Sequence, residues 1–98
     1  MLMFVKLEVK NSLVGPLVPE TRMRAGKAIS PIMQSGKAVS SGLFADQRGG
    51  FILLDVDSVD ELAEMLAPML DGFDLETHPV VPLESLPVIL KKLEDQGL

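Results

Sequence analysis

The feature that most constrains this chain is a change of periodicity that occurs twice. Residues 2–9 repeat with a period of two and are apolar at every odd position, which is typical of a strand with one buried face. Helical spacing follows from Pro19 to about Gly36. The same succession returns when the apolar run 51–56 leads into a helix that begins after Ser58. Two strand-to-helix units predict a sheet covered by helices on one face.

The remaining elements complete the order β-α-β-β-α-β-α. A weaker strand pattern at 37–44 leads through a hairpin at 46–50, which contains a Gly-Gly pair, into the third strand. We predict a fourth strand at 73–81 and a short closing helix at 84–94. The first six elements form the split βαβ pattern of a ferredoxin-like fold, with the first and third strands central, the fourth beside the first and the second beside the third. We therefore predict one α+β domain over 1–98, built on a four-stranded antiparallel sheet.

Three local signals refine this prediction. Pro31 lies inside the first helical stretch and predicts either a kink or an early end followed by a restart. Ser58 and Glu61 have the spacing of a capping box, in which the serine caps the helix and the glutamate reaches back. Pro79 confines the end of the fourth strand to a sheet edge or an exit.

Methionines at helical spacing are expected to fill the core, and the first helix repeats through Met23, Gly26, Ile29, Ser30 and Met33.

Composition limits the partners of this protein. A net charge of −5 and the absence of Trp and Tyr argue against nucleic-acid binding, which uses basic side chains for phosphates and aromatic rings for bases. No apolar run approaches the roughly 20 residues that cross a bilayer, and the N-terminus lacks the pattern of a signal peptide. We expect a cytoplasmic protein without membrane contact. With no cysteine and a single histidine, we expect neither a metal site nor a cofactor.

Function is expected on the sheet face that the helices leave open. Alternation assigns to the covered face the apolar residues Val5, Leu7, Val9, Ile52, Leu54 and Val56. The open face then carries Phe4, Lys6, Glu8, Phe51, Leu53, Asp55, Asp74, Glu76 and His78. This face is too apolar to remain in water and too charged for a dry core. A ligand pocket between two sheets suits the mixture, which predicts a homodimer with a two-fold interface.

The chain resembles the muconolactone isomerase family. The resemblance lies in the opening MLMFVKLEVK, in the stretch FILLDVDSVDELAEML and in the strand that ends in VVPL. It implies a dimeric α/β barrel, in which the sheets of two copies face each other, often assembled into larger rings. It also implies a lactone or other small acidic substrate. Isomerisation there moves a proton between carbons next to a carbonyl, which needs a general base and a charge-stabilising donor.

His78 and Glu76 are the leading catalytic candidates. His78 is the single histidine and titrates near neutrality. Glu76 lies two residues away on the same face, and a carboxylate beside an imidazole favours the protonated ring. Strand pairing places this pair near Lys6 or Glu8, which with Asp55 form a charged cluster across three strands. The alternative is a set of cross-strand ion pairs that each contribute little, with the histidine a partly exposed strand-end residue.

Arg24 and Arg48 are the candidates for binding a substrate carboxylate, because Arg can bind it through two hydrogen bonds. Arg24 lies with Arg22 on the first helix, where such charges usually face solvent, and turn polarity explains Arg48 in the hairpin equally well. Phe4 and Phe51 supply the apolar part of the site. The function predicted is an isomerase acting by proton transfer on an anionic carbonyl or lactone compound. The alternative is a non-catalytic ligand-binding or assembly module that uses the same dimer.

Overall fold

The computed structural model describes residues 1–10 and 19–97. Its elements are β1 (Leu2–Val9), α1 (Pro19–Gln34), β2 (Ala38–Leu43), β3 (Gly49–Asp55), α2 (Val59–Leu66), β4 (Phe73–Val80) and α3 (Leu86–Asp95). Short 3₁₀ turns follow α2 at Ala67–Met69 and precede α3 at Leu83–Ser85. No helix in the described part of the chain is long and apolar enough to cross a membrane.

The four strands form one antiparallel sheet in the order β2-β3-β1-β4. This order confirms the predicted ferredoxin-like α+β fold, with β1 and β3 central. Both edges of the sheet are irregular. Pro79 lies in the edge strand β4, as predicted, and the pairing of β2 with β3 shifts register between Ala38 and Ser40. The pairing of β1 with β3 and with β4 is regular, so β1 sets the positions of the residues opposite it on both neighbouring strands.

The core lies between one sheet face and the helices α1 and α2. Val5, Leu54 and Val56 are fully buried, which confirms the predicted covered face. The expectation that methionines at helical spacing fill the core is confirmed for Met69, which is 1% exposed, and is wrong for Met23 and Met33, which are 64% and 44% exposed. The side of α1 that packs on the sheet is smaller and carries Ala25, Ala28, Ile29 and Ile32. Two alanines allow the helix to approach the sheet closely.

Helix α1 continues through Pro31 to Gln34, so the restart that the proline predicted does not occur. The proline removes one backbone donor, which costs stability without ending the helix, since the flanking turns pack on the sheet. Gly36 then adopts a φ of +77°, the left-handed conformation that commonly terminates helices. The predicted stop at this glycine is confirmed.

The Gly-Gly pair lies inside β3 and not in the hairpin turn. The turn itself is held by the Asp46 carboxylate, which accepts a hydrogen bond of 3.0 Å from the Arg48 backbone N–H. Gly49 and Gly50 are both buried, and a Cβ on Gly49 would meet the backbone carbonyl of Leu7. The pair is therefore required by the close approach of the neighbouring strands.

Helix α2 begins with the predicted serine cap. The Ser58 hydroxyl accepts a hydrogen bond of 3.1 Å from the Glu61 N–H. The Glu61 carboxylate reaches back one residue further than a capping box requires and accepts 2.8 Å from the Asp57 N–H. It also pairs with Lys37 Nζ at 2.9 Å. The Asp57 bond first, and then the bond to Lys37, hold the pKa of Glu61 below its usual value.

Residues 81–97, which we call the C-terminal arm, extend away from the sheet. The molecule measures 56 × 26 × 19 Å, and its radius of gyration is 16.7 Å. A compact domain of this length has a radius of gyration of about 13 Å. Helix α3 packs mainly on its own preceding turn, and no α3 residue is buried. The arm therefore contributes little to the core of its own chain.

Candidate functional site

Aromatic rings form a row across the open face of the sheet. The ring centroids of Phe51 and Phe4 lie 5.7 Å apart with planes 20° from parallel, and Phe4 lies 6.4 Å from the His78 ring. The register places Phe4 opposite His78 on β4 and opposite Leu53 on β3. Gly42 faces Phe51 from β2, and the phenyl ring occupies the space that a Cβ at Gly42 would need. The rings give this half of the face a flat apolar floor.

A chain of charged side chains lies beside the aromatic floor. Lys6 Nζ is 3.0 Å from Glu8 and 4.0 Å from Glu76, and the second Glu76 oxygen is 2.9 Å from His78 Nε2. Register explains the arrangement, since Lys6 pairs directly with Glu76 across β1 and β4. The predicted sharing of one face by Glu76 and His78 is thus present as a hydrogen bond.

These contacts fix the charges of the two central groups. The hydrogen bond to Glu8, followed by the charges of Glu8 and Glu76, raises the pKa of Lys6 above its usual value. The hydrogen bond with His78, followed by the charges of His78 and Lys6, lowers the pKa of Glu76. At neutral pH, Lys6 is an ammonium group and Glu76 is a carboxylate that can accept a hydrogen bond from the His78 ring.

Asp55 does not join this charged chain, so its predicted place in the cluster is wrong. Its carboxylate accepts a hydrogen bond of 3.1 Å from the amino group of Met1, which also bonds the Val56 carbonyl at 2.9 Å. Asp55 pairs with Leu2 at the far end of β1 from Glu8, which separates it from the lysine. It closes the junction between the first residue and the end of β3.

The two predicted carboxylate-binding arginines lie away from the aromatic floor. Arg24 is on α1, on the helix-covered side, where it lines a cavity with Val9, Asp71 and Phe73. Arg48 lies in the turn before β3, beyond the row in which Gly49 pairs with Glu8. Phe4 is four residues along β1 from that row, or about 13 Å. The structure therefore brings Lys6, and neither arginine, to the histidine pair.

Two cavities lie away from the Glu76–His78 pair, although Phe51 of the aromatic floor lines one of them. One of about 280 Å³ contains Arg24, and a second of similar size is mainly apolar and lies between α1 and β2, with Met33 and Leu43 in its lining. Neither is lined by Glu76 or His78. Within residues 1–10 and 19–97, no three His, Asp or Glu side chains converge as metal ligands do. The candidate site of the single chain is an open surface.

Comparison with known proteins establishes the fold. No protein-family model matches the chain, and no curated protein does. Among solved structures, muconolactone isomerase is 20% identical, with a TM-score of 0.58 over 84% of this chain and 90% of that one. An antibiotic biosynthesis monooxygenase is 12% identical, with a TM-score of 0.50 over 84% of this chain and all of the other. The chain has a muconolactone isomerase-like fold of the ferredoxin-like class, and the resemblance noted in the sequence is confirmed at that level.

Proposed function

We propose that this protein binds a small carbonyl or lactone compound on its open sheet face and isomerises it by moving a proton. The hydrogen bond of 2.9 Å between His78 and Glu76, beside the stacked rings of Phe4 and Phe51, is the observation that carries the proposal. An acid/base pair next to an apolar floor is the minimum that such a reaction needs. The shared fold with muconolactone isomerase supports a lactone as the substrate class.

The side chains have distinct roles in this reaction. In the tautomer in which the His78 Nε2–H donates a hydrogen bond to Glu76, the other ring nitrogen, Nδ1, has a free lone pair. It accepts a proton from a carbon next to the substrate carbonyl, and the electrons of that C–H bond pass into an enolate. The Lys6 ammonium stabilises the negative charge on the enolate oxygen. His78 then returns the proton from Nδ1 to another carbon of the conjugated system, so nothing is consumed.

A second copy of the chain is part of this proposal. In the single chain the side chains of His78 and Glu76 are 55% and 57% exposed. Water at that exposure weakens electrostatic stabilisation and can protonate the enolate in place of His78. Two sheets packed through their open faces would exclude it.

Exchange of substrate protons with heavy water tests the chemistry directly. A panel of small lactones and unsaturated carbonyl acids, including muconolactone, is incubated with the protein in D₂O and followed by NMR. We expect isomerisation or deuterium uptake with at least one compound. His78→Gln and Glu76→Gln should each lower its rate by about 10²–10⁴-fold, the usual contribution of a positioned acid or base. Their melting temperatures should change little, since neither side chain belongs to the buried core of its own chain.

Thr77→Ala is the matched control, because Thr77 lies between the two residues and points to the other face of the strand. It should leave the rate unchanged. Full activity in both glutamine variants would remove the pair from the mechanism. A panel without turnover or exchange would contradict the isomerase proposal as a whole.

A non-catalytic binding or assembly module is the second candidate function. Lys6, Glu8, Glu76 and His78 already pair with one another, as ion pairs lining an interface would. If this candidate is correct, His78→Gln and Glu76→Gln will change the oligomeric mass or the melting temperature while no compound of the panel is bound. Light scattering and a thermal scan on the same samples separate the two candidates.

A further inference from the structure

The open face of the sheet carries more carboxylates than cations. Within the four strands Lys6 is the only Lys or Arg. The strands contain four carboxylates, and alternation places all of them on the open face: Glu8, Asp55, Asp74 and Glu76. The Asp55 carboxylate is paired with the amino group of Met1. The other three share the single ammonium group of Lys6, so the face is net negative around the candidate site.

We infer that this face selects a flat, uncharged unsaturated lactone or ketone and rejects compounds that carry a carboxylate, with Glu8 as the residue that determines this specificity. The inference rests on the proposed function, which it deepens by naming the substrate class. The sequence predicts an anionic compound, whereas the arrangement of charges on the folded face favours the opposite.

Lys6 has no charge left for a substrate carboxylate. Its Nζ lies 3.0 Å from Glu8 and 4.0 Å from Glu76. A substrate carboxylate would have to displace Glu8 and then remain beside the carboxylate that it displaced. A carbonyl oxygen needs only a hydrogen-bond donor. The ammonium group has three N–H donors, so one remains for the carbonyl even when Glu8 and Glu76 each accept one.

The nearest other cations lie beyond further carboxylates. Arg48 is beside Val9 at the end of β1, where its carbonyl accepts a hydrogen bond of 2.8 Å from the Val9 N–H, and Lys10 is the next residue of the chain. Both positions are about 17 to 20 Å along the strand from Phe4. The row in which Glu8 pairs with Asp74 comes between them and the aromatic floor. A carboxylate that reached toward these cations would therefore pass two like charges.

The aromatic floor favours a flat ring. The rings of Phe4 and Phe51 lie 20° from parallel with centroids 5.7 Å apart, so a planar conjugated ring can stack on both. Leu53, opposite Phe4 on β3, extends the apolar surface. Phe51 pairs with Lys6 and Phe4 pairs with His78, so these two polar side chains border the floor. A carbonyl on the edge of the bound ring meets the ammonium group beside the proton acceptor.

A matched pair of probes tests the selection by binding alone. Coumarin-3-carboxamide and coumarin-3-carboxylate share one flat lactone ring and differ in charge. Their fluorescence can be followed without interference, since the chain contains neither Trp nor Tyr. We expect the carboxamide to bind about tenfold more tightly, which is the effect of one net charge at about 8 Å in an effective dielectric of about 30. The ratio should fall toward one between ionic strengths of about 0.02 and 0.5 M, because salt screens exposed charges.

Glu8→Gln is the diagnostic variant, since it removes one carboxylate and releases Lys6. It should raise the affinity for coumarin-3-carboxylate by about tenfold and leave that for the carboxamide nearly unchanged. Glu64→Gln is the matched control, because Glu64 is exposed on α2, on the covered side of the sheet, and its substitution changes the net charge equally. It should leave both affinities unchanged.

Several outcomes would overturn the inference. Wild-type protein that binds the carboxylate as tightly as the carboxamide, or a ratio that salt does not alter, would contradict the charge selection. An unchanged ratio in Glu8→Gln would remove Glu8 from it, and binding of neither probe at about millimolar concentration would contradict the flat apolar floor. The selective binding of the carboxamide without turnover of any compound rejects the isomerase chemistry alone. Turnover of carboxylates as efficient as that of their amides keeps the chemistry and rejects this inference.

Discussion

Two glycines should respond to alanine in opposite directions. Gly49 is buried in β3, and an added Cβ would meet the carbonyl oxygen of Leu7 and the Cα of Glu8. Both are backbone atoms of the central strand β1, which cannot rotate aside as a side chain can. The strands must therefore separate or shift. Overpacking of this kind costs about 1–3 kcal/mol, and we expect Gly49→Ala near the upper value because the obstacle is backbone.

Gly26 provides the opposite case. It is exposed within α1, and a Cβ there meets nothing within 4 Å. Alanine restricts the unfolded chain and favours the helix, so Gly26→Ala should stabilise the protein by about 0.5–1 kcal/mol. For a domain of this length, each kcal/mol shifts the melting temperature by about 4–8 °C. The expected changes are a fall of roughly 12–24 °C for Gly49→Ala and a rise of roughly 2–8 °C for Gly26→Ala.

Differential scanning calorimetry measures both shifts. All samples are compared at one protein concentration, since self-association makes the melting temperature depend on concentration. Wild-type stability in Gly49→Ala would refute the close approach of β3 to β1 and with it the register that positions the candidate site. A destabilised Gly26→Ala would show that the surface of α1 at this point is covered in solution.

Two further predictions concern the junctions around α2. The lowered pKa of Glu61 means that its bonds stabilise the fold above its unfolded pKa and are lost as the pH falls through its folded pKa. Lys37→Gln should therefore flatten the loss of stability in a urea titration between neutral and acid pH, and an unchanged pH profile relative to the control Lys27→Gln would contradict this. Ser58→Ala should cost about 1 kcal/mol in the same assay, the usual value of an N-cap. Ser85→Ala should cost little, because Ser85 makes no side-chain cap bond; equal losses would refute the capping argument.

The fold was predictable because its signals are local. Alternation in β1 and the apolar run in β3 identify the two central strands. Successive residues of each strand point to opposite faces, which separates the covered face from the open one. The packing of α1 was not predictable in the same way, since Met23 and Ala25 both read as apolar. Which side meets the sheet depends on how closely the helix approaches, and that is a property of the packed molecule. The Gly-Gly pair was wrongly predicted to lie in the hairpin turn, because glycine is favoured both in turns and where two strands approach closely.

The candidate site was predictable as a set of residues on one face but not as a geometry. Glu76 and His78 are two residues apart on β4, so the sequence alone places them on the same face. The pairing of Lys6 with Glu76 instead depends on the register between two strands that are far apart in sequence. No local signal gives that register. The role of Gly42 beneath the Phe51 ring was missed for the same reason. The position of Asp55 was predicted wrongly because its partner is the backbone amino group of Met1, which a search for charged side chains does not include.

The irregular edges of the sheet have a consequence for how the protein grows into assemblies. Pro79 removes a backbone donor from the edge strand β4, and the register shift between Ala38 and Ser40 disturbs the ladder along the other edge. Strand addition, the route by which sheets extend without limit into fibres, is therefore hindered on both sides. Apolar surface remains on a face and an arm, which two-fold symmetry can bury completely. Association of this chain should thus end in a closed particle of fixed size, even at high concentration.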